Sequence, residues 1–192
     1  MGGALVGAVG AQVVGAHMWV ETQGGPLILV PESVLLLWKG SSYSEADKVE
    51  EWGDYGRACG VGGHAGVISV GTTEALVLAE EPAATSYVEP LGMLVRLLAG
   101  FDFDIRILEQ MDLAETIWDP VAEWKVDGAL ILFDPVLSGS DVSRQDSLRI
   151  SLREGRIIVE AARGEVEPDD DTALQLLRLR YLDCRARGEG CG

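Results

Sequence analysis

What most constrains the fold of this chain is the way its apolar residues are cut into pieces. Short apolar or alternating segments at 27–30, 67–70, 75–78, 85–88, 93–98, 121–126, 129–133 and 148–152 follow one another, with Gly, Pro or Asp between most of them. Runs of that length, bounded by turn residues, read as strands. Trp19 to Thr22 alternates and reads as one more, and Arg156 to Ala162 as the return after a Glu154-Gly155 turn. Gly71 to Glu74 predicts a hairpin, and Asp127-Gly128 predicts another between 121–126 and 129–133. Leu177, Leu179 and Tyr181 alternate with Arg178 and Arg180, so 174–182 reads as a last strand rather than a helix. Helical rhythm is confined to three places. Pro31 to Trp38 is a short helix with Val34, Leu35, Leu37 and Trp38 turned inward, stopped by Gly40. Asp54 to Cys59 is a second. Residues 102–117 are a third, with Leu108, Met111 and Ile117 on one face. Residues 41–52 and 165–171 read as acidic loops. Strands that follow strands, without alternating helices, predict an α+β fold. It is strand-dominated, with mostly antiparallel sheets, about three short helices and a single domain.

Charge narrows the function. Thirty-one acidic residues face fifteen basic ones over 192 residues, a net charge of −16. Nucleic acids and anionic membranes are recognised through Lys and Arg, so neither is an expected partner. A basic protein partner suits this surface, because complementary fields speed association. The imbalance lies mainly in residues 1–125, with 18 acidic and 6 basic residues. Cys59, Cys184 and Cys191 make an odd count with no zinc spacing, which fits a reduced, cytoplasmic chain without cofactor or metal. Residues 2–16 are small and apolar without a preceding basic residue, which is unlike a signal peptide. The expectation is that Met18 is the natural start, that 1–18 is a disordered extension, that 19–182 is the domain and that 183–192 is a disordered tail.

Few residues offer catalytic chemistry. Cys59 and His64 could form a nucleophile and base pair, although a reactive thiol needs an electropositive, partly exposed setting. Gly60 to Ala65 matches G-x-G-x-x-A, but a dinucleotide loop needs a strand before it and a helix after it, and here the order is reversed. Asp169 to Asp171 lacks the spacing of a calcium loop. Asp54 and Arg57 are three apart and can pair on one helix turn, either tying it to the body beside Trp38 or meeting a partner together with Tyr55. Trp52 sits among Glu50, Glu51 and Asp54, a reasonable docking anchor. The other tryptophans read as core or half-core.

Several short patterns occur in a definite order: Trp19 with Gly24-Gly25-Pro26-Leu27, Trp38 with Gly40, Asp54-Tyr55 with Arg57-Ala58-Cys59, Glu81-Pro82, Leu132-Phe133-Asp134, and Leu148-x-Ile150-x-Leu152 before Gly155. In that order they resemble the immunity protein 21 family of bacterial polymorphic toxin systems, over about residues 19–182. The chain departs from the pattern at Ile157-Ile158, where an aromatic is expected. The resemblance implies a cytoplasmic antidote that binds a cognate protein toxin and performs no reaction. The candidate contact residues are Glu50, Glu51, Trp52, Asp54, Tyr55, Arg57, Asp112 and Glu115, within the acidic stretches 45–54 and 102–123. A Cys59/His64 enzyme and a non-catalytic scaffold are the alternatives.

Overall fold

The computed structural model describes residues 12–14, 17–42, 49–79, 82–100, 103–104, 106–110, 112–163, 166–169 and 171–182. Thirteen strands appear among them. In chain order they are β1 (Gln12–Val14), β2 (His17–Trp19), β3 (Leu27–Pro31), β4 (Ala65–Val70), β5 (Thr73–Leu78), β6 (Ala84–Val88) and β7 (Met93–Ala99). They continue with β8 (Trp118–Val126), β9 (Ala129–Phe133), β10 (Ser147–Ser151), β11 (Gly155–Ala162), β12 (Val166–Asp169) and β13 (Thr172–Tyr181). The helices α1 (Gly53–Cys59) and α2 (Arg106–Gln110) are short, and 3₁₀ turns span Glu32–Leu37, Val49–Glu51 and Glu89–Leu91. The fold is strand-dominated α+β.

Two antiparallel sheets carry the architecture. One has the order β10-β9-β3-β5-β4 and the other β6-β7-β13-β11-β8, with β12 extending along β13 where β11 ends. Alternation along each strand explains why both sheets are buried on both sides. Leu27, Leu29, Leu76, Leu78, Leu130 and Leu132 meet Leu94, Trp124, Val126, Ile157, Val159 and Leu177 in the space between the sheets. Ile28, Val30, Val77, Ile131 and Phe133 face outward from the five-stranded sheet and are covered by Trp38, Leu35 and Ala58. On the far side Val95, Leu174 and Leu176 are covered by Trp19, Phe103 and Leu108. Helices α1 and α2 therefore sit on opposite outer faces.

Sheet borders are occupied in three different ways. Val20 exchanges backbone hydrogen bonds with Thr85 on β6. Arg57 Nη2 donates to the Ser69 carbonyl of border strand β4, at 2.5 Å. The Glu74 carboxylate accepts the Lys125 backbone N–H of border strand β8, at 2.8 Å. Pro120 lies in β8 beside the register shift against β11, where a border strand tolerates a residue with no N–H.

The structure corrects several expectations. Asp127-Gly128 does not close a hairpin: β8 belongs to the six-stranded sheet and β9 to the five-stranded one. The turn chemistry reverses the chain, but Val126 and Leu130 both point into the space between the sheets, so the chain crosses from one sheet to the other. Glu154-Gly155 marks a second crossing, from β10 to β11. The expected strand at 19–22 is reduced to the end of β2 and the Val20 bridge to Thr85. The acidic segment 165–171 contains strand β12 rather than only loop. The helix expected over 102–117 is limited to α2. Asp112 Oδ1 accepts the Ala114 N–H at 2.9 Å, an Asx turn that competes with helical bonding. Ile117 is consequently 57% exposed instead of buried, and Met111 lies outside the described residues. The Pro31–Trp38 helix is 3₁₀, and Leu37 is 52% exposed. Three residues per turn align Leu35 with Trp38 and leave Leu36 and Leu37 off that line.

One ion cluster on the outer face of the six-stranded sheet makes stability depend on pH. Arg178 Nε donates to Glu160 Oε2 at 2.9 Å, and Arg180 Nη2 donates to Oε1 at 3.1 Å. The Arg180 hydrogen bond, joined by Arg178 and opposed by burial, holds the Glu160 carboxyl below its ordinary value. A carboxylate depressed on folding contributes stability above its unfolded pKa, about 4.3, and loses it as pH falls through the lower folded value. The Glu160→Gln variant is therefore expected to have a lower urea midpoint than the parent at pH 7, with the gap closing at pH 3. A gap of the same size at both pH values would refute the assignment.

Candidate functional site

Residues far apart in sequence build one node on the five-stranded sheet. Trp38 is fully buried there, and its Nε1 donates to the Pro135 carbonyl at 3.0 Å. Gly40, at φ +69°, accepts the Tyr55 N–H at 3.1 Å, and a methyl group on it would meet Leu137 backbone at 2.6 Å. Buried Asp134 accepts the Gln23 N–H at 2.9 Å and the Val136 N–H at 3.0 Å, which fixes the loop before Gly24. Gly25 faces Tyr55 so closely that a methyl group would lie 2.5 Å from the phenol oxygen. The patterns Gly24-Gly25-Pro26, Trp38 with Gly40, Asp54 to Cys59 and Leu132-Phe133-Asp134 thus converge on one place.

Helix α1 is pinned within this node. Asp54 Oδ2 accepts the Lys39 N–H at 2.8 Å, and Oδ1 pairs with Arg57 Nη1 at 2.8 Å. Arg57 reaches on to Ser69. Tyr55 stacks on Trp52 with ring centroids 6.1 Å apart and planes within 3°. Burial, then its hydrogen bond with Cys59, pushes the Tyr55 phenol up to about 12. Burial also raises the Cys59 thiol. That shift works against a thiolate nucleophile.

His64 lies elsewhere, in a polar cluster between the sheets. Gln175 and Arg96 are direct register partners on β13 and β7. Arg96 Nη1 donates to Gln175 Oε1 at 2.6 Å and to the Ala79 carbonyl at 2.7 Å. Because a guanidinium only donates, Gln175 turns its oxygen to Arg96 and its Nε2 to His64 Nδ1, which accepts. Cys59 thus hydrogen-bonds Tyr55 while His64 hydrogen-bonds Gln175.

The described parts of the acidic stretches fall on opposite sides of the molecule. Glu51 is exposed and Trp52 half-buried beside α1, and the Glu50 side chain lies outside the described residues. Asp112 and Glu115 are exposed in the segment after α2. Ile107, and Ile117 that a continuous helix would turn inward, are 40% and 57% exposed in the same segment, and Leu36 is 67% exposed near α1. Among the described residues no group of three or more His, Cys, Asp or Glu gathers to hold a metal, and no helix is long and apolar enough to cross a membrane.

A family model described as immunity protein 21 matches residues 18–172. No curated protein and no solved structure matches the chain.

Proposed function

The chain belongs to the immunity protein 21 family, and from that premise we propose that it neutralises one cognate toxin by stoichiometric binding in the cytoplasm, without turning over a substrate. The family match is the observation that carries this reading. Charge supports it: a surface with net −16 favours a basic toxin and speeds the encounter at low salt. The raised Cys59 thiol, and its partnering with Tyr55 rather than His64, favour binding over the Cys/His enzyme. Affinity in such a complex comes from a few desolvated anchors, while the acidic rim sets rate and partner choice.

The test is co-expression with the toxin domain encoded beside this chain's gene. Cells are expected to survive only when the chain is present, and the two purified proteins are expected to elute as one complex of fixed stoichiometry. The association rate should fall as salt rises. Survival without a complex, or a complex without protection, would overturn the proposal.

A further inference from the structure

We propose that strand β10 is the docking margin for the toxin: an extended segment of the toxin adds to the five-stranded sheet beside β10, with apolar side chains at every second position. This rests on the toxin-binding reading above and goes beyond it by naming the place and the kind of segment.

The two main sheets have four border strands, β10 and β4 in one and β6 and β8 in the other. Backbone groups on three of them are already engaged, by Val20 on β6, Arg57 on β4 and Glu74 on β8. The fourth differs. β10 pairs with β9 in unbroken register, from Ser147 opposite Phe133 to Ser151 opposite Ala129. Among the described residues, no hydrogen bond outside that pairing reaches the backbone of Leu148 to Ser151. In an antiparallel ladder alternate residues bond the neighbouring strand, and the others turn their N–H and C=O groups away from it. β10 therefore presents a row of open donors and acceptors at strand spacing, and the ligand that matches such a row is another extended backbone.

The usual guards of a border are missing from β10. Border strand β8 carries Pro120 and a register shift, whereas β10 has no Pro, no Gly and no shift. Its one charged residue is held to the outer side: Arg149 pairs with Glu32 at 2.9 Å and donates to Ser151 Oγ at 3.1 Å. Side chains set the pattern of the added strand. Ile150 is buried between the sheets, and Leu148 and Leu152 are half-buried against the same cluster. Inward residues of an added strand would lie beside these leucines, so they must be apolar, while its outward residues would lie beside Arg149 and Ser151 and can be polar. Charge names the owner of that strand. A body of net −16 draws a basic toxin and repels a second copy of itself.

The experiment follows amide hydrogen exchange in the full chain, alone and with the toxin domain encoded beside its gene. In the free chain every second amide of β10 is expected to exchange fast. In the complex those amides should slow about 100-fold or more, with no comparable change on β4, β6 or β8. The free-chain pattern also shows whether Leu148 or Arg149 turns its N–H away from β9. Proline at that position leaves the β9 pairing intact and blocks an added strand. It is expected to weaken toxin affinity about 30-fold or more in a variant that still unfolds cooperatively. A complex in which the β10 amides exchange as in the free chain would overturn the proposal while leaving toxin binding standing, and this readout needs no variant to fold. A folded proline variant that binds like the parent would overturn it too, as would a free chain that is already dimeric with its β10 amides protected. If no complex forms, the toxin-binding reading falls and takes this proposal with it.

Discussion

Replacing Trp38 by alanine is expected to destabilise the protein by about 3–5 kcal/mol, the range for emptying a large aromatic site in a core. That is a large share of the roughly 5–15 kcal/mol that holds a domain together. The side chain is fully buried and touches the chain's logic in two ways. Its ring covers the outward-facing Ile28, Val30 and Phe133, and its Nε1 holds the Pro135 carbonyl. Trp38→Phe separates these roles. It keeps most of the apolar contact and loses the hydrogen bond, so its cost should be nearer 1–2 kcal/mol, from the lost bond and the smaller ring. Urea denaturation of both variants measures the difference. A cost below about 1 kcal/mol for Trp38→Ala would show that the outer cluster closes over the gap and that Trp38 is not its keystone.

The second large effect is expected at Arg96. Arg96→Leu should cost about 3–5 kcal/mol, because it strips the donor from Gln175 Oε1 and from the Ala79 carbonyl inside the sandwich. The double variant Arg96→Leu, Gln175→Leu should recover part of that loss, since removing both members of a buried polar pair is cheaper than orphaning one. A double variant no more stable than the single one would mean that the Gln175 contact contributes little.

The parts legible in the sequence were those governed by local rules. Strands β3, β5, β7 and β9 were visible because their apolar runs are bounded by turn residues, β13 because its leucines alternate with arginines, and α1 because Asp54 and Gly60 frame it. What local rules could not supply was sheet membership. Asp127-Gly128 signals a reversal equally well whether the next strand pairs with the last or leaves for the opposite sheet, and only long-range burial of Val126 and Leu130 decides. The node was half legible. Tyr55, Arg57 and Asp134 were seen as pieces of a pattern, yet their meeting depends on β3 and β9 lying side by side. The exposure of Ile117 was not legible because a continuous helix over 102–117 places it inward, and the Asp112 turn breaks that helix.

The blocked borders have a consequence for a molecule that must wait. An immunity protein that acts as proposed here is of use only if it is already present and dissolved when its target arrives. Bare strand margins at high concentration invite copy-to-copy zippering into fibrils. Here Val20, Arg57 and Glu74 have already claimed backbone positions on β6, β4 and β8, so a neighbouring copy finds those three margins engaged. Engaging three of the sheet margins in this way suits the chain to long storage.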